Sequence, residues 1–270
     1  MTPTHTRTPT PVDNLIDGHL DEYAALNPIF ATAAGIPGHD AELPDLSPDW
    51  LAAVSALRQR TIAGLRRAAP VDANDRVTVA AATDEFTVDE QIRATGVDES
   101  RLNNVSSPVQ DVRAVFDLMA TSSADDWALI ASRLARVPDS INGYVGSLRH
   151  AATRGNISPR RQVEAGIKQS RDNTGPDGFF ATFAGGATTA DGELPSSVRA
   201  DVERGAQAAA SAYEQLAAFL DGELLPQAPA DDPVGRERYA LFSRSFLGSA
   251  VDLDDAYAWL PLTSFVPGIP

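Results

Sequence analysis

Apolar residues recur at intervals of three and four along almost the whole of this chain, and this period constrains the fold more than any other feature. Between residues 12 and 26, one side of a helix would carry Leu15, Ile16, His19, Leu20 and Tyr23. No segment shows the alternation of a half-buried strand, and no unit repeats at a fixed period. The sequence therefore predicts an all-α protein, an irregular multi-helix bundle of about nine helices.

Helix start and stop signals divide this pattern into segments. The clearest start is Ser47-Pro48-Asp49, in which a capping serine precedes a proline at the first helical position and an acid in the first turn. Pro108 and Ser158-Pro159 open two further segments, Ser123 caps another, and Asn27-Pro28 ends the first. The predicted helices cover residues 12–26, 47–69, 74–95, 108–119, 123–134, 138–155, 158–170, 195–225 and 232–248.

Residues 173–192 form the longest predicted loop. The phenylalanines in this loop must pack against the body of the protein or against a partner: Phe179, Phe180 and Phe183. We divide the whole chain into a disordered leader (residues 1–11), an incomplete helical domain (residues 12–259) and an aberrant non-helical tail (residues 260–270).

The end of the helical domain carries a helix start that does not continue. Asp252 is a natural N-cap, and Asp254 and Asp255 lie where the positive end of a helix favours acids. After Trp259 the sequence changes to eleven uncharged residues with three prolines. We expect the helix to stop at this point and the chain to be part of a larger protein.

The charge and composition of the chain limit its partners. A formal net charge of −15 argues against nucleic acid, because phosphate contacts need clustered Lys and Arg, and against anionic membrane surfaces. With no cysteine, the chain can form neither a disulfide nor a thiolate zinc site. The N-terminus lacks the apolar core of a signal peptide, and no segment approaches the roughly 20 apolar residues of a membrane span. We expect a cytoplasmic protein.

None of the histidines begins a zinc peptidase motif. Such a helix needs His-Glu-x-x-His, but the residues that follow the four histidines are Thr6, Leu20, Asp40 and Ala151. His19 and Glu22 share a helix face and could form half a metal site, although a partly buried histidine bonded to a carboxylate is the favoured interpretation. We predict no catalytic residue, metal ligand or cofactor in this chain.

Two polar patches are candidates for a substrate cleft. The first surrounds the helix start at Pro108 and comprises Asn103, Gln110 and Arg113. These side chains either line a polar cleft or cap the helix, and we favour capping.

The second patch opens the helix of residues 232–248. Arg236 and Tyr239 lie three residues apart and share a face that could meet a peptide carboxylate. The alternative, which we favour, is an ion-pair network of this helix start with Glu237 and neighbouring helices.

Several short motifs, taken in order, resemble a known family. The chain is similar to a bacterial domain-of-unknown-function family of large helical proteins, regarded as zinc peptidases related in fold to carboxypeptidase Taq and the gluzincins. The motifs that carry this resemblance are Ile16-Asp17-x-x-Leu20, Pro28-Ile29-x-Ala31-Thr32, Gly35-Ile36-Pro37-Gly38-His39-Asp40, Ser107-Pro108-Val109-Gln110-x-x-Arg113-x-x-Phe116, Arg133-Leu134-x-x-Val137-Pro138, Gly143-Tyr144, Arg161-Gln162-Val163, Gly235-Arg236-Glu237-Arg238-Tyr239, Phe246-Leu247-Gly248 and residues 252–259.

The resemblance implies that this chain is the N-terminal half of such a protein. In the family the segment that matches residues 252–259 continues as Trp-Gly, whereas Leu260 follows Trp259 here. The His-Glu-x-x-His motif, its further glutamate ligand and the zinc belong to the C-terminal half of the family's proteins. The resemblance therefore carries no metal ligand or catalytic residue to any position of this chain, although it implies a peptide substrate for the intact protein.

Three functions follow as hypotheses. The first is a non-catalytic N-terminal part of a zinc metallopeptidase, whose partner is the missing C-terminal half or, without it, a second copy that covers exposed apolar faces. The second is an all-helical interaction module that acts with a partner chain. The third is an independent hydrolase that uses Arg236, Tyr239 and nearby carboxylates.

Overall fold

A computed structural model describes residues 7–190 and 192–263, with side chains as far as residue 259. This part of the chain forms twelve α-helices and no strand, apart from an isolated bridge between Thr189 and Gly192. The predicted all-α, multi-helix fold is confirmed. The helices are α1 (Pro11–Leu26), α2 (Pro28–Ala34), α3 (Pro48–Arg67), α4 (Ala73–Ala94), α5 (Pro108–Ala114), α6 (Ala124–Leu134), α7 (Val137–Thr153), α8 (Arg160–Asp172), α9 (Phe179–Gly185), α10 (Ser196–Phe219), α11 (Arg236–Leu247) and α12 (Leu253–Thr263).

Helix α10 is the centre of the main core. It packs against α6, α7, α8 and α9, and the residues that it buries include Val202, Ala206, Ala209, Tyr213 and Leu216. Gly205 lies against the Cβ of Leu134 on α6, so the absence of a side chain lets these two helices approach closely. A π-helical turn (Leu220–Leu224) and a short 3₁₀ turn (Leu225–Gln227) end α10.

The N-terminal helices form a second layer. α3 packs against both α1 and α4, and it also contacts α7 of the main bundle. α11 lies on the outer side of this layer, against α4. None of the helices in the described residues is both long and apolar enough to cross a membrane.

Local capping explains why several helices begin where the sequence predicts. The Ser47 hydroxyl accepts a hydrogen bond from the Trp50 N–H at 3.2 Å, and Pro48 occupies the first helical position. Ser123 and Asp126 form a reciprocal capping box at the start of α6. Both predicted starts are confirmed, because each depends only on residues within one turn of the helix.

Two seven-residue helices were missing from the prediction. The Asn27-Pro28 pair that ends α1 also starts α2, because the Asn27 side chain caps the Phe30 N–H. α9 lies within residues 173–192, where we predicted a loop. Phe180 on α9 is fully buried, with its ring 5.2 Å from that of Tyr213. Core packing, rather than a local signal, forms α9, and its phenylalanines pack against the body of the protein.

The leader assignment was wrong for residues 7–11, whereas residues 1–6 lie outside the described part. Thr10 is the N-cap of α1, Pro11 is its first residue, and Thr10 and Asp13 form a capping box. The Arg7 guanidinium bonds the carboxylates of Asp13, Asp72 and Asp75 at 2.5–2.9 Å. The prolines and threonines suggested disorder, but these bonds fix the segment on the starts of α1 and α4.

Asp75 is the buried acceptor of this junction, and it makes stability depend on pH. Its carboxylate accepts bonds from the Val71 N–H, the Thr10 hydroxyl and Arg7 at 2.8–2.9 Å. Burial opposes ionisation of Asp75, but these bonds outweigh burial and lower its pKa below the ordinary value. At pH values above its unfolded-state pKa of about 4, a carboxyl whose pKa is lower in the folded state stabilises the fold. This stabilisation is lost as the pH falls through the folded-state pKa.

We expect Asp75→Asn to melt at a lower temperature than the wild type at pH 7, because the amide cannot accept all three bonds as a charged group does. The difference should shrink as the pH falls below about 4. Melting curves by circular dichroism at several pH values measure this effect. Asp21→Asn, at an exposed position of α1, should follow the wild type throughout, and an Asp75→Asn deficit that does not vary with pH would contradict the assignment.

The end of α12 differs from the predicted boundary. The helix runs to Thr263, so residues 260–263 are helical where we predicted a non-helical tail. Pro261 removes one N–H donor from the last turn, which does not require the helix to end at that point. Residues 264–270 lie outside the described part of the chain.

The α2–α3 loop, residues 35–47, joins the two layers. The buried Arg133 of α6 donates hydrogen bonds to the backbone oxygens of His39 and Glu42. On α7, the hydroxyls of Ser140 and Ser147 donate to the backbone oxygens of Pro44 and Leu46 at 2.6 and 2.7 Å. Side chains of the main bundle therefore hold this loop along almost its whole length.

Candidate functional site

The loop before α5 is organised by Asn103. Its side-chain oxygen accepts hydrogen bonds from the backbone N–H groups of Val105 and Ser106 at 2.8 and 2.7 Å, and its amide donates to the Ser106 oxygen at 2.7 Å. All of these bonds are local to the turn, a common role for asparagine. They favour the capping interpretation over a substrate cleft at Asn103.

Gln110 connects this turn to α8. Its side-chain oxygen accepts bonds from the N–H and the hydroxyl of Ser107, both at 2.7 Å. Its amide donates to the Asn103 backbone oxygen and to the Gln169 side chain at 3.0 and 2.5 Å. Two donors and two acceptor positions are thus occupied within the protein, which leaves the Gln110 side chain little capacity for a ligand.

Arg113 makes a different set of contacts. Its guanidinium carbon lies 3.8 Å from the centre of the Phe179 ring, and Nη1 bonds the carboxylate of Asp117. Stacking on an aromatic face and pairing with an acid stabilise a guanidinium at a surface. The contacts of Arg113 thus join α5 to α9, and Asn103 and Gln110 take no part in them.

The second patch lies at the start of α11. Both Arg236 terminal nitrogens donate to the Asp254 carboxylate of α12, at 2.8 and 2.6 Å. This bidentate bond raises the pKa of Arg236 and lowers that of Asp254, which keeps both groups charged. The acid that Arg236 bonds is therefore Asp254 of the neighbouring helix α12, while Glu237, the other predicted member of this ion-pair network, is not its partner. Tyr239, on the same helix, is exposed.

The most unusual surface of the described chain is the α11–α12 face, which we define as Tyr239, Phe242, Phe246, Leu247, Tyr257 and Trp259. α11 has no buried residue at all. Phe246 is 90% exposed, and Tyr257 and Trp259 are 76% and 60% exposed. Exposed apolar surfaces often mark sites of interaction, so these two helices are the candidate surface for one.

Polar contacts attach this face to the rest of the protein. Arg238 of α11 donates to the Thr95 backbone oxygen and to the Asn156 side chain at 3.0 and 2.7 Å. Arg244 bonds Asp84 on α4. The helical period of α11 predicted an apolar stripe, but it could not predict that this stripe faces solvent. A sequence pattern gives the face of a helix, not what covers it.

The described residues do not form a zinc site. Within residues 7–190 and 192–263, no three His, Cys, Asp or Glu side chains converge in a way that could hold a metal ion. His19 bonds the Thr61 hydroxyl at 2.8 Å and stacks 4.5 Å from Phe86, while Glu22 pairs with Arg60. The predicted carboxylate partner of His19 was therefore wrong. Burial, with the nearby Arg58, lowers the pKa of His19.

Comparison with known proteins places the chain in a family. The model of a family described as a bacterial protein of unknown function (DUF885) matches residues 28–260, which is most of the chain and includes every residue of the α11–α12 face. No curated protein matches the sequence. The chain belongs to the bacterial family of unknown function DUF885.

Proposed function

We propose that this chain is the non-catalytic N-terminal part of a zinc metallopeptidase, and that the α11–α12 face packs against the part that holds the metal. In the intact protein the described helices would form one wall of a cleft for peptides. The other part would hold the zinc-bound water and a general-base glutamate. Because the sequence has no cysteine, the fold needs no oxidising compartment, and we place the protein in the cytoplasm.

The exposed α11–α12 face is the observation that carries this proposal. Phe246, Tyr257 and Trp259 present three large aromatic side chains to solvent. Aromatic residues dominate the buried centres of interfaces, because each removes a large apolar area from water. The family match extends over these helices, so the face belongs to the fold of the family rather than to an appendage.

The test of the N-terminal assignment is to sequence the encoding DNA beyond the codon for Trp259 and to translate all three frames. We expect one frame to resume a helical pattern and to reach His-Glu-x-x-His. If no frame encodes this motif, the chain is not the front part of a zinc peptidase. The interaction module then becomes the better proposal.

The non-catalytic assignment has its own test. The purified chain should not hydrolyse a mixture of fluorogenic peptides, with or without added Zn²⁺, because the described residues supply no metal site. Hydrolysis that is abolished by a chelator would contradict this assignment. Alanine variants of Arg236 and Tyr239 would then test whether these residues take part.

Self-association is the expected behaviour of the chain without its partner. Replacing Phe246, which is 90% exposed, by aspartate should weaken self-association about tenfold or more, because a charge at the centre of an apolar contact must be desolvated. Size-exclusion chromatography with light scattering measures the change over a range of concentrations. Leu118→Asp, at a 58% exposed position outside the face, is the matched control.

Either of two results would remove the α11–α12 face from the proposal. One is a wild-type chain that stays monomeric and binds no hydrophobic dye. The other is an equal effect of Phe246→Asp and Leu118→Asp.

The same face supports a second candidate, an all-helical module that binds a separately encoded chain through α11 and α12. A bacterial two-hybrid screen with the wild type and Phe246→Asp, run in parallel, would identify a partner whose binding depends on this face. Such a partner without a His-Glu-x-x-His motif would favour the module over the peptidase part.

A further inference from the structure

A separate cavity of about 140 Å³ lies where the N-terminal helices meet the main bundle. Its walls come from α1, α3, α7 and the segments that flank α5 and α3. Aromatic rings form part of the lining, and so do three charged side chains. These six residues are Tyr23, Trp50, Tyr144, Arg58, Asp98 and Arg101. Binding sites for small molecules typically combine apolar walls with a few polar groups in this way.

Asp98 supplies an acceptor that is not used within the protein. Its side chain is half-buried, and no hydrogen bond from the described residues reaches its carboxylate. Burial raises the pKa of Asp98, while the positive charges of Arg58 and Arg101 act in the opposite direction. Most carboxylates that lose water in a folded protein gain hydrogen bonds in exchange, so an unbonded one beside a cavity suits a donor from a ligand.

Arg58 is paired with two acids, yet not all five of its N–H donors are engaged. Only 19% of its side chain is exposed, and the carboxylates of Asp89 and Glu90 lie 3.1 and 3.7 Å from it. It makes no side-chain hydrogen bond of normal geometry in the described part of the chain. Arg101 uses one terminal nitrogen for Asp111, at 2.7 Å, and a guanidinium carries five N–H donors. Both arginines therefore keep donors available to the cavity.

The unused acceptor and donors are complementary to a zwitterion. A simple carboxylate in this cavity would be repelled by Asp98, and a simple amine would leave the free donors of the two guanidinium groups without an acceptor. A molecule with both charges satisfies all three side chains at once. A cavity of about 150 Å³ in another protein holds one benzene molecule, which sets the scale for a small amino acid and excludes a longer peptide.

We propose that this cavity binds a free α-amino acid with a small apolar side chain. The ammonium group bonds the carboxylate of Asp98, and the carboxylate bonds N–H groups of Arg58 and Arg101. The apolar side chain lies against the rings of Trp50 and Tyr144. This site goes beyond the proposed function and does not depend on it, because none of its residues belongs to the α11–α12 face.

Titration of the purified full chain with L-valine and L-leucine tests the proposal, with tryptophan fluorescence and calorimetry as readouts. Trp50 lines the cavity, so binding should change the fluorescence in a saturable way with a Kd of about 1 mM or lower. N-acetyl-L-valine lacks the ammonium group and L-valinamide lacks the carboxylate. Each should bind at least about tenfold more weakly, since each loses one of the two charged contacts.

Variants identify the residues that bind the ammonium and carboxylate groups of the amino acid. Asp98→Asn should weaken L-valine binding about tenfold or more, and it should fold normally because Asp98 makes no hydrogen bond that the change removes. Asp231→Asn, at an exposed position outside the cavity, is the control and should bind L-valine like the wild type. The proposal is overturned if neither amino acid gives saturable binding, if the analogues bind as well as L-valine, or if Asp98→Asn has no effect.

Discussion

Arg133→Met is expected to lower the free energy of unfolding by about 3 kcal/mol, because it removes three hydrogen bonds from a buried guanidinium. Nε donates to the Glu42 backbone oxygen at 2.9 Å, and Nη2 donates to the His39 oxygen at 2.8 Å and the Thr32 hydroxyl at 2.9 Å. Arg133 is fully buried. Methionine would fill most of the space but could donate none of these three hydrogen bonds.

Urea unfolding followed by circular dichroism measures the loss, as a shift in midpoint at an unchanged slope. Arg136→Met is the matched control, since Arg136, at the start of α7, is close to Arg133 in the chain but is exposed. It should change the free energy of unfolding by less than about 0.5 kcal/mol. Similar losses in the two variants would show that Arg133 does not hold the α2–α3 loop.

The role of Arg133 illustrates what the sequence could not predict. It stood out only as part of a family motif, because its partners lie 91 to 101 residues away in the chain. No local pattern brings α6 against residues 32–42. By contrast, the caps at Ser47 and Ser123 were predictable, because each involves a hydrogen bond to a residue three positions further on.

Short segments also depend on contacts that are remote in sequence and that local patterns cannot predict. Residues 7–10 were assigned to the disordered leader because Arg7 is held by Asp72 and Asp75, which are remote in sequence. α9 was missed because it depends on a ring contact between Phe180 and Tyr213. Helices this short are marginal by propensity, so tertiary contacts decide whether they form.

The candidate sites also differ in whether the sequence could reveal them. The polar residues Asn103 and Gln110 were found from their types and spacing, and their bonds are those of a helix cap. The cavity beside Asp98 gave no signal in the sequence. Its lining residues extend from Tyr23 to Ser147 and come together only in the folded chain. A site assembled from single residues of separate helices has no motif to search for.

The α2–α3 loop also explains the second large effect that we expect. Gly143 of α7 lies between Ser140 and Ser147 on the helix face that holds this loop. A Cβ at Gly143 would overlap the backbone oxygen of Asp45. We therefore expect Gly143→Ala to lower the free energy of unfolding by about 2–3 kcal/mol. The added methyl group must push the loop away and stretch the bonds from Ser140 and Ser147.

Gly146→Ala provides the control within the same helix, and its effect should have the opposite sign. The nearest atom to a Cβ at Gly146 is the Pro48 Cδ at 4.0 Å, which is ordinary van der Waals contact. Alanine then acts mainly through its greater helix propensity and should raise the free energy of unfolding by about 0.5–1 kcal/mol. If both variants were stabilised, the close approach of the α2–α3 loop to α7 would be disproved. If only Gly143→Ala is destabilised, helix propensity cannot be the cause, because both glycines lie in the interior of one helix. The cause must then be the contact with Asp45.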